Sequence, residues 1–166
     1  METPKTLSIS EIKIRKARLE DAAAISSLII PLLKKYVSHE FTPQAQITML
    51  NTMSESKIAE NISRDFEYYL AEYGPKEASP AILAGVIGMK GKDHLFHLFV
   101  AERFHRAGIG NKLWHFMLSQ NNESQFTVYS SRFAVAFYQK LGFQSIGEPM
   151  KEGGVLCYPM AVEVNR

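Results

Sequence analysis

A chain of 166 residues, 46% hydrophobic and 22% charged, has the size and balance of one soluble globular domain, which excludes disordered and fibrous classes. Its net charge of +2, with Lys and Arg scattered, is too mild to point to nucleic acid, and its longest apolar run, Ala81 to Met89, falls well short of the ~20 residues of a membrane helix. The single cysteine, Cys157, excludes an internal disulfide and a cysteine-rich zinc site, and no basic-then-apolar leader opens the chain, so a cytosolic address is expected.

Residues 1–8 read as a loose tail ahead of a single domain over 9–166. Ile12 and Ile14 alternate with Lys13 and Arg15, which predicts a half-buried strand over about 9–17. Glu20 and Asp21 favour a helix start, and Ile25, Leu28, Ile29, Leu32 and Leu33 recur at helical spacing. Pro31 inside that pattern is expected to kink or divide the helix. Residues 37–53, with Thr42-Pro43, read as a loop or short helical turn, and Ser54 to Arg64 as a second helix capped by Ser54 or Ser56. Phe66 to Tyr73 alternates aromatic and polar residues weakly, which suits either a strand or a continuation of the second helix. Gly74 to Pro80 reads as a turn or loop. Pro80 to Lys90 and His94 to Val100 read as strands that Gly91-Lys92-Asp93 joins into a hairpin.

Glu102 to Ala107 is a polar, basic loop. Gly108-Ile109-Gly110 then opens a helix that ends near Gln120, with Ile109, Leu113, Phe116 and Met117 on its apolar face. Phe126 to Tyr129 reads as a strand, and Ser131 to Leu141 as a helix with Ala134, Phe137 and Leu141 inward and Gly142 at its C′ position. Phe143 to Glu148 and Val155 to Val164 finish as strands about a Gly153-Gly154 turn. The order β-α-α-β-β-β-α-β-α-β-β, without repeats, predicts one mixed α/β domain.

The stretch His105-Arg106-Ala107-Gly108-Ile109-Gly110-Asn111 lies between a hydrophobic strand and an amphipathic helix. The first N–H groups of a helix have no intrahelical partner and carry partial positive charge, so they can grip a phosphate. Glycine lets backbone approach the ligand, and Arg106 adds a cation. A P-loop is excluded because Asn111 follows Gly110, and a dinucleotide fingerprint because Leu113 stands where its third glycine belongs. A lone Gly-x-Gly is more often an ordinary strand-to-helix turn.

Two motifs together carry a resemblance. His105-x-x-Gly108-x-Gly110 is similar to the CoA loop of the GNAT superfamily of N-acetyltransferases, Gln/Arg-x-x-Gly-x-Gly/Ala, with His at the first position. About thirty residues on, Ser131 to Phe143 resembles that superfamily's second signature, Asn-x-x-Ala-x-x-Phe-Tyr-x-x-x-Gly-Phe. It matches at Ala134, Phe137, Tyr138, Gly142 and Phe143, with Ser131 in the Asn position. The element order from Ile12 to Val164 agrees, so the resemblance covers nearly the whole chain. It implies a central twisted, mostly antiparallel sheet with splayed parallel strands four and five, flanked by about four helices.

The resemblance implies acetyl-CoA as co-substrate, lying in that splay. The backbone of Leu98, Phe99 and Val100 would meet the pantetheine arm as a further strand does. The backbone from His105 through Arg106, Ala107, Gly108, Ile109 and Gly110 to Asn111 would hold the pyrophosphate. Ser131 would approach the pantetheine or cap its helix. Tyr138 would protonate the departing thiolate as general acid; packing beside Phe137 is its plain alternative. For a base, His94 is one candidate and His97 another; three residues apart, they fall on opposite faces of a regular strand unless a bulge alters the parity. A base elsewhere or ordered water remains open. His94-x-x-His97 lacks a third ligand nearby, so no metal is expected.

Cys157, Trp114 and Phe116 read as core and Glu102 as a solvated charge. The acceptor side falls at roughly 30–56 and 145–158, with Tyr36, His39, Glu40, Phe41 and Gln44 on one segment and Glu148, Lys151 and Glu152 on the other. Glu40 there is either a partner for a cationic amine or a solvated carboxylate. Two functions stay open: an N-acetyltransferase acting on an unidentified amine, and a non-catalytic acyl-CoA-binding or interaction module. A homodimer is implied by family habit alone.

Overall fold

The computed structural model describes residues 8–74, 80–152 and 154–166, with the side chains of Glu40 and Glu152 outside the described set. The expected tail up to residue 7, most of the Gly74 to Pro80 loop, and Gly153 of the late turn lie outside the described residues.

A single 3-10 turn over Ile9–Glu11 precedes β1 (Ile12–Lys16), so the first strand starts later than its alternation suggested. Helix α1 (Ala22–Tyr36) runs unbroken through Pro31. Pro31 and Ser27 are both exposed, so water can meet the carbonyl that the missing N–H leaves unpaired. Residues expected to form a loop instead form α2 (Pro43–Thr52): Thr42 Oγ accepts the Ala45 N–H at 3.2 Å and Pro43 takes the first helical position. Thr42-Pro43 is therefore a start signal here and not a breaker. Ser54 caps α3 (Glu55–Ser63) through the Lys57 N–H at 3.3 Å.

The strands β2 (Phe66–Tyr73), β3 (Ile82–Lys90) and β4 (His94–Val100) form an antiparallel meander, and α4 (Ile109–Ser119) leads to β5 (Gln125–Ser130). Regular helix after β5 is confined to α5 (Val135–Lys140); Ser131–Ala134 is a turn. The strand expected over Phe143 to Glu148 is reduced to β6 (Gln144–Ser145), because Gly147 and Pro149 interrupt it. A further short strand, β7 (Met150–Glu152), pairs with β8 (Val155–Glu163). The main sheet runs β1-β2-β3-β4-β5-β8-β6, antiparallel except for β4 beside β5.

Two cores flank this sheet. Ile87, Leu95, Leu113, Trp114, Phe126 and Phe143 fill the side of α4 and α5, and Trp114 packs on Phe126 and Phe143 at 5.3 Å each. Ile25, Ile29, Ile58, Tyr68, Leu70 and Val86 fill the side of α1 and α3. Within the second core Tyr68 lies across Gly88, its cross-strand partner on β3: a Cβ at residue 88 would stand 2.4 Å from the Tyr68 ring. Gly88→Ala is expected to lower stability by about 1–3 kcal/mol through overpacking. Urea unfolding measures this, and an unchanged midpoint would show that the ring is not held there.

Candidate active site

The parallel pairing of β4 with β5 lasts for two residues, His94 opposite Thr127 and Leu95 opposite Val128. Beyond them the strands separate. On its other side β4 stays bonded to β3, where Ala101 donates to the Ala84 carbonyl at 2.8 Å, and the register places Phe99 opposite Val86 and His97 opposite Gly88. Hydrogen-bonding direction alternates along an antiparallel strand. Phe99 and His97 therefore share the Ala101 edge and face β3, while Leu98 and Val100 turn their backbone groups into the gap. Phe99 accordingly offers the gap its side chain and not its backbone, unlike the three-residue edge expected from sequence.

The gap opens into a cleft of about 1040 Å³, walled on one side by Phe96 to Val100 and on the other by Val128 to Ser131, with Tyr138 and Lys140 from α5. A volume of this size suits an elongated small-molecule ligand. At one end the chain passes through Arg106 (φ 62°) and Gly108 (φ 81°), two left-handed residues, before α4 begins. The first ladder bond of α4 is Lys112 N–H to the Gly108 carbonyl at 3.0 Å. The N–H groups of Gly108, Ile109, Gly110 and Asn111 thus precede the bonded ladder, as an anion cradle requires. Gly108 is needed for its backbone angle. Gly110 is needed for packing: a Cβ there would meet the Phe137 ring at 2.9 Å.

The side chain of His105 does not extend into the cradle. Its Nε2–H donates to the Val100 carbonyl at 2.7 Å, occupying one of the acceptors that β4 turns toward the gap. Ser131 Oγ accepts the Ala134 N–H at 3.3 Å, which makes it a cap for the turn before α5, and Ser131 also lines the cleft. Tyr138 is 5% exposed, and its ring sits between Phe137 and Phe143 at 5.5 and 5.4 Å. Burial pushes its phenol well above the ordinary value near 10, so it keeps its proton. Tyr138, not Phe137, is the deeply buried residue of α5, because Phe137 spends its ring on Gly110.

The two histidines diverge. The register slips between Gly88 and Met89, so Phe96 is the extra residue of a β-bulge. The bulge brings His97 onto the face of α1 and α3, the face that His94, as neighbour of inward Leu95, also takes. His94 hydrogen-bonds Thr127 Oγ at 2.8 Å through Nδ1 and packs edge-on against Tyr129, at the closed root of the gap; it is not among the residues lining the cleft. His97 does line it, with only 2% of its surface exposed. Its Nδ1 lies 3.0 Å from the Tyr68 hydroxyl, which Asn61 Nδ2 approaches at 3.4 Å, and its Nε2 is buried without a partner. Burial pushes His97 down to about 3 from an ordinary value of 6.5 and pushes Tyr68 up to about 12. Sequence reasoning missed Tyr68 and Asn61 because they reach His97 from β2 and α3.

The mouth is bridged by aromatic contact. Tyr36 at the end of α1 stacks on Phe133 at 4.7 Å and donates its hydroxyl to Glu102 at 3.0 Å. Lys35 also pairs with Glu102 and holds that carboxyl below its usual range, so Glu102 is engaged at the mouth and not merely solvated. Beside them Val37, His39, Phe41, Arg132 and Leu156 line a smaller recess of about 200 Å³. Tyr36, Val37, His39, Phe41 and Leu156 lie in the two segments where an acceptor is expected from sequence; the side chains of Glu40 and Glu152 lie outside the described residues. Cys157 is buried and lines the cleft from β8. Among the described residues no three His, Cys, Asp or Glu side chains cluster as a metal site would need, and no helix is long and apolar enough to cross a membrane.

Residues 37–164 match the family profile described as an acetyltransferase (GNAT) domain. Solved structures agree in fold. A GCN5-related N-acetyltransferase from Rhodopseudomonas palustris aligns with a TM-score of 0.75 over 96% of this chain and 99% of its own, at 18% identity. The PaiA N-acetyltransferase from Thermoplasma acidophilum, solved in complex with coenzyme A, gives 0.71 over 92% and 99%, also at 18%. Apo-form YjaB from Escherichia coli gives 0.69 over 93% and 99%, at 20%. Among curated proteins none matches. The class defined by the fold is thus the GNAT fold, and the chain belongs to the GNAT acetyltransferase family.

The buried His97 makes stability depend on pH. Below about 6.5 the unfolded chain binds a proton that the folded protein refuses until about pH 3, so stability falls as pH drops through that window. The slope approaches about 1.4 kcal/mol per pH unit for this one group. Urea midpoints between pH 7 and pH 5 should fall in the wild type and fall less steeply in His97→Gln; parallel curves would show that His97 titrates normally in the fold.

Proposed function

We propose that this chain is a cytosolic N-acetyltransferase that moves an acetyl group from acetyl-CoA directly to a primary amine. The carrying observation is the open edge of β4 at Leu98 and Val100, which leads to unbonded N–H groups at Gly108–Asn111 and has Tyr138 on its flank. The fit to acyl-CoA is chemical. A pantetheine arm carries amides that suit a vacant strand edge, and a pyrophosphate suits four helix N–H groups beside Arg106. The coenzyme A bound by the Thermoplasma relative supports the same occupant.

In the reaction the amine lone pair attacks the thioester carbonyl carbon, and Tyr138 donates its proton to the departing sulfur. Among the described residues the contacts of Tyr138 are ring contacts, with Phe137 and Phe143, and none hydrogen-bonds its hydroxyl. Neither histidine is well placed as the base. His94 stands outside the cleft lining, and His97, held near 3, is far too weak to deprotonate an ammonium of pKa about 10. With both set aside, we take the amine to lose its proton to water, before or during attack.

Tyr138→Phe is expected to lower kcat by about 100-fold or more while acetyl-CoA still raises the melting temperature as in the wild type. A wild-type rate in this variant would remove the acid role. Loss of all thermal response to acetyl-CoA and CoA in the wild type would remove the acyl-CoA assignment itself.

The pH profile gives a second check. kcat/KM should rise with pH toward the acceptor amine's own pKa, with no limb near 6.5. Comparing two acceptors of different pKa reads this directly: a fixed limb near 6.5 for both would restore a histidine base.

A further inference from the structure

Asn61 on α3, Tyr68 on β2 and His97 on β4 form a chain of buried polar groups, each at most 5% exposed, that ends in one unsatisfied ring nitrogen on a residue lining the cleft. The hydrogens along it can be placed. Asn61 Nδ2 is a donor to the Tyr68 oxygen, so the Tyr68 hydrogen has no acceptor on that side. Its remaining neighbour is His97 Nδ1 at 3.0 Å. If Tyr68 donates there, its hydroxyl hydrogen is satisfied and the imidazole hydrogen falls on Nε2, which has no partner. The opposite arrangement would leave two groups unpartnered, the Tyr68 hydroxyl hydrogen and the Nε2 lone pair, where this one leaves only the Nε2 hydrogen. A neutral imidazole that accepts at Nδ1 carries its proton on Nε2.

We propose that His97 Nε2–H is a hydrogen-bond donor to the acyl carbonyl oxygen of the bound thioester, and that Tyr68 and Asn61 are positioning residues that fix its tautomer. The proposal rests on acyl transfer being the chemistry of this cleft. Tyr138 enters the cleft from the α4 and α5 side of the sheet and His97 from the α1 and α3 side. With the sulfur next to Tyr138, the carbonyl one bond away has the opposite wall to meet. As the amine adds, the carbonyl π pair moves onto oxygen, where Nε2–H stabilises it. When the C–O double bond re-forms, the C–S bond breaks, its pair leaves on sulfur, and sulfur takes the Tyr138 proton. The added nitrogen gives its extra proton to water, and Tyr138 is reprotonated from solvent. A buried neutral donor needs no reorganisation to meet the developing charge.

The groups packed on His97 add no charge. Phe96, Phe99 and Tyr68 are its ring contacts, and burial alone acts on its titration. The ring should stay neutral with one tautomer across pH 5 to 9. Nitrogen-15 NMR of the imidazoles tests this on the whole protein. Expected are a protonated Nε2 and an unprotonated Nδ1 for His97, and a shift of Nε2–H when acetyl-CoA binds but not when CoA binds. A proton on Nδ1 would overturn the proposal, and so would an equal response to CoA, which would place the contact on the pantetheine. If neither ligand perturbs any resonance of the protein, it is the acyl-CoA assignment that fails, and the tautomer is read independently of it.

Activity supplies a second readout. Tyr68→Phe should lower kcat by roughly tenfold with little change in KM for acetyl-CoA, and its His97 should show mixed tautomers. His97→Leu should lose on the order of 100-fold in kcat, as removal of an oxyanion donor does. His97→Gln, which can still donate, should retain more. Equal losses in His97→Gln and His97→Leu, with both folded, would overturn the donor role.

Discussion

Everything at this site depends on a hydrogen-bond ladder that stops. β4 and β5 pair for two residues and then part, although each remains bonded to its other neighbour. The consequence is a strand edge inside the molecule, at Leu98 and Val100, where an edge would ordinarily be covered or paired. His105 caps one carbonyl of that edge and leaves the rest to the cleft. Such an edge is costly to desolvate and well matched to a ligand that supplies alternating amides. The binding surface is thus a defect in the sheet, held open by well-bonded strands on both sides.

The walls of the gap are set by burial more than by charge. The Phe96 bulge changes the face on which His97 lies, and the bare surface of Gly88 lets Tyr68 lie flat enough to reach it. On the other face, Gly110 admits Phe137 and so leaves Tyr138 as the residue that goes deep. Two glycines on different strands and helices therefore aim two different side chains at one cleft. Desolvation keeps both ring groups neutral: it raises the tyrosine and lowers the histidine, because in each case the charged form is the one that burial disfavours.

Much of the fold was legible because its signals are local. Alternation found β1 and β2, an apolar run and a tight turn found β3 and β4, the glycine turn found the start of α4, and the resemblance over Ser131 to Phe143 singled out Tyr138, which lines the cleft. Errors fell where a local signal has two meanings. Thr42-Pro43 reads as a break or as a cap, and only the Ala45 N–H on the threonine oxygen decides it. Pro31 breaks a helix when its freed carbonyl is buried, and here the position is exposed. The histidines were legible as a pair but not as roles. Their faces hang on one extra residue in β4, and their partners, Thr127 and Tyr68, lie 33 and 29 residues away along the chain. No spacing rule reaches that far.

The charge distribution along the cleft follows the same division. Its lining cations, Arg106 and Lys140, come from the glycine loop and the end of α5, and among the described residues no charged side chain of β4 or β5 lines it. Fixed cations and helix N–H groups attract an anion that is already formed, such as a phosphate, and so favour binding. Charge that exists only while a bond is being made is better met by neutral dipoles held in place, because a full cation buried opposite a neutral carbonyl would be unpaired for most of the cycle and costly to keep. Tyr138 and His97 are neutral, buried groups of that kind, and they line the cleft from opposite faces. The gap between β4 and β5 can hold both only because the ladder between those strands ends at Leu95.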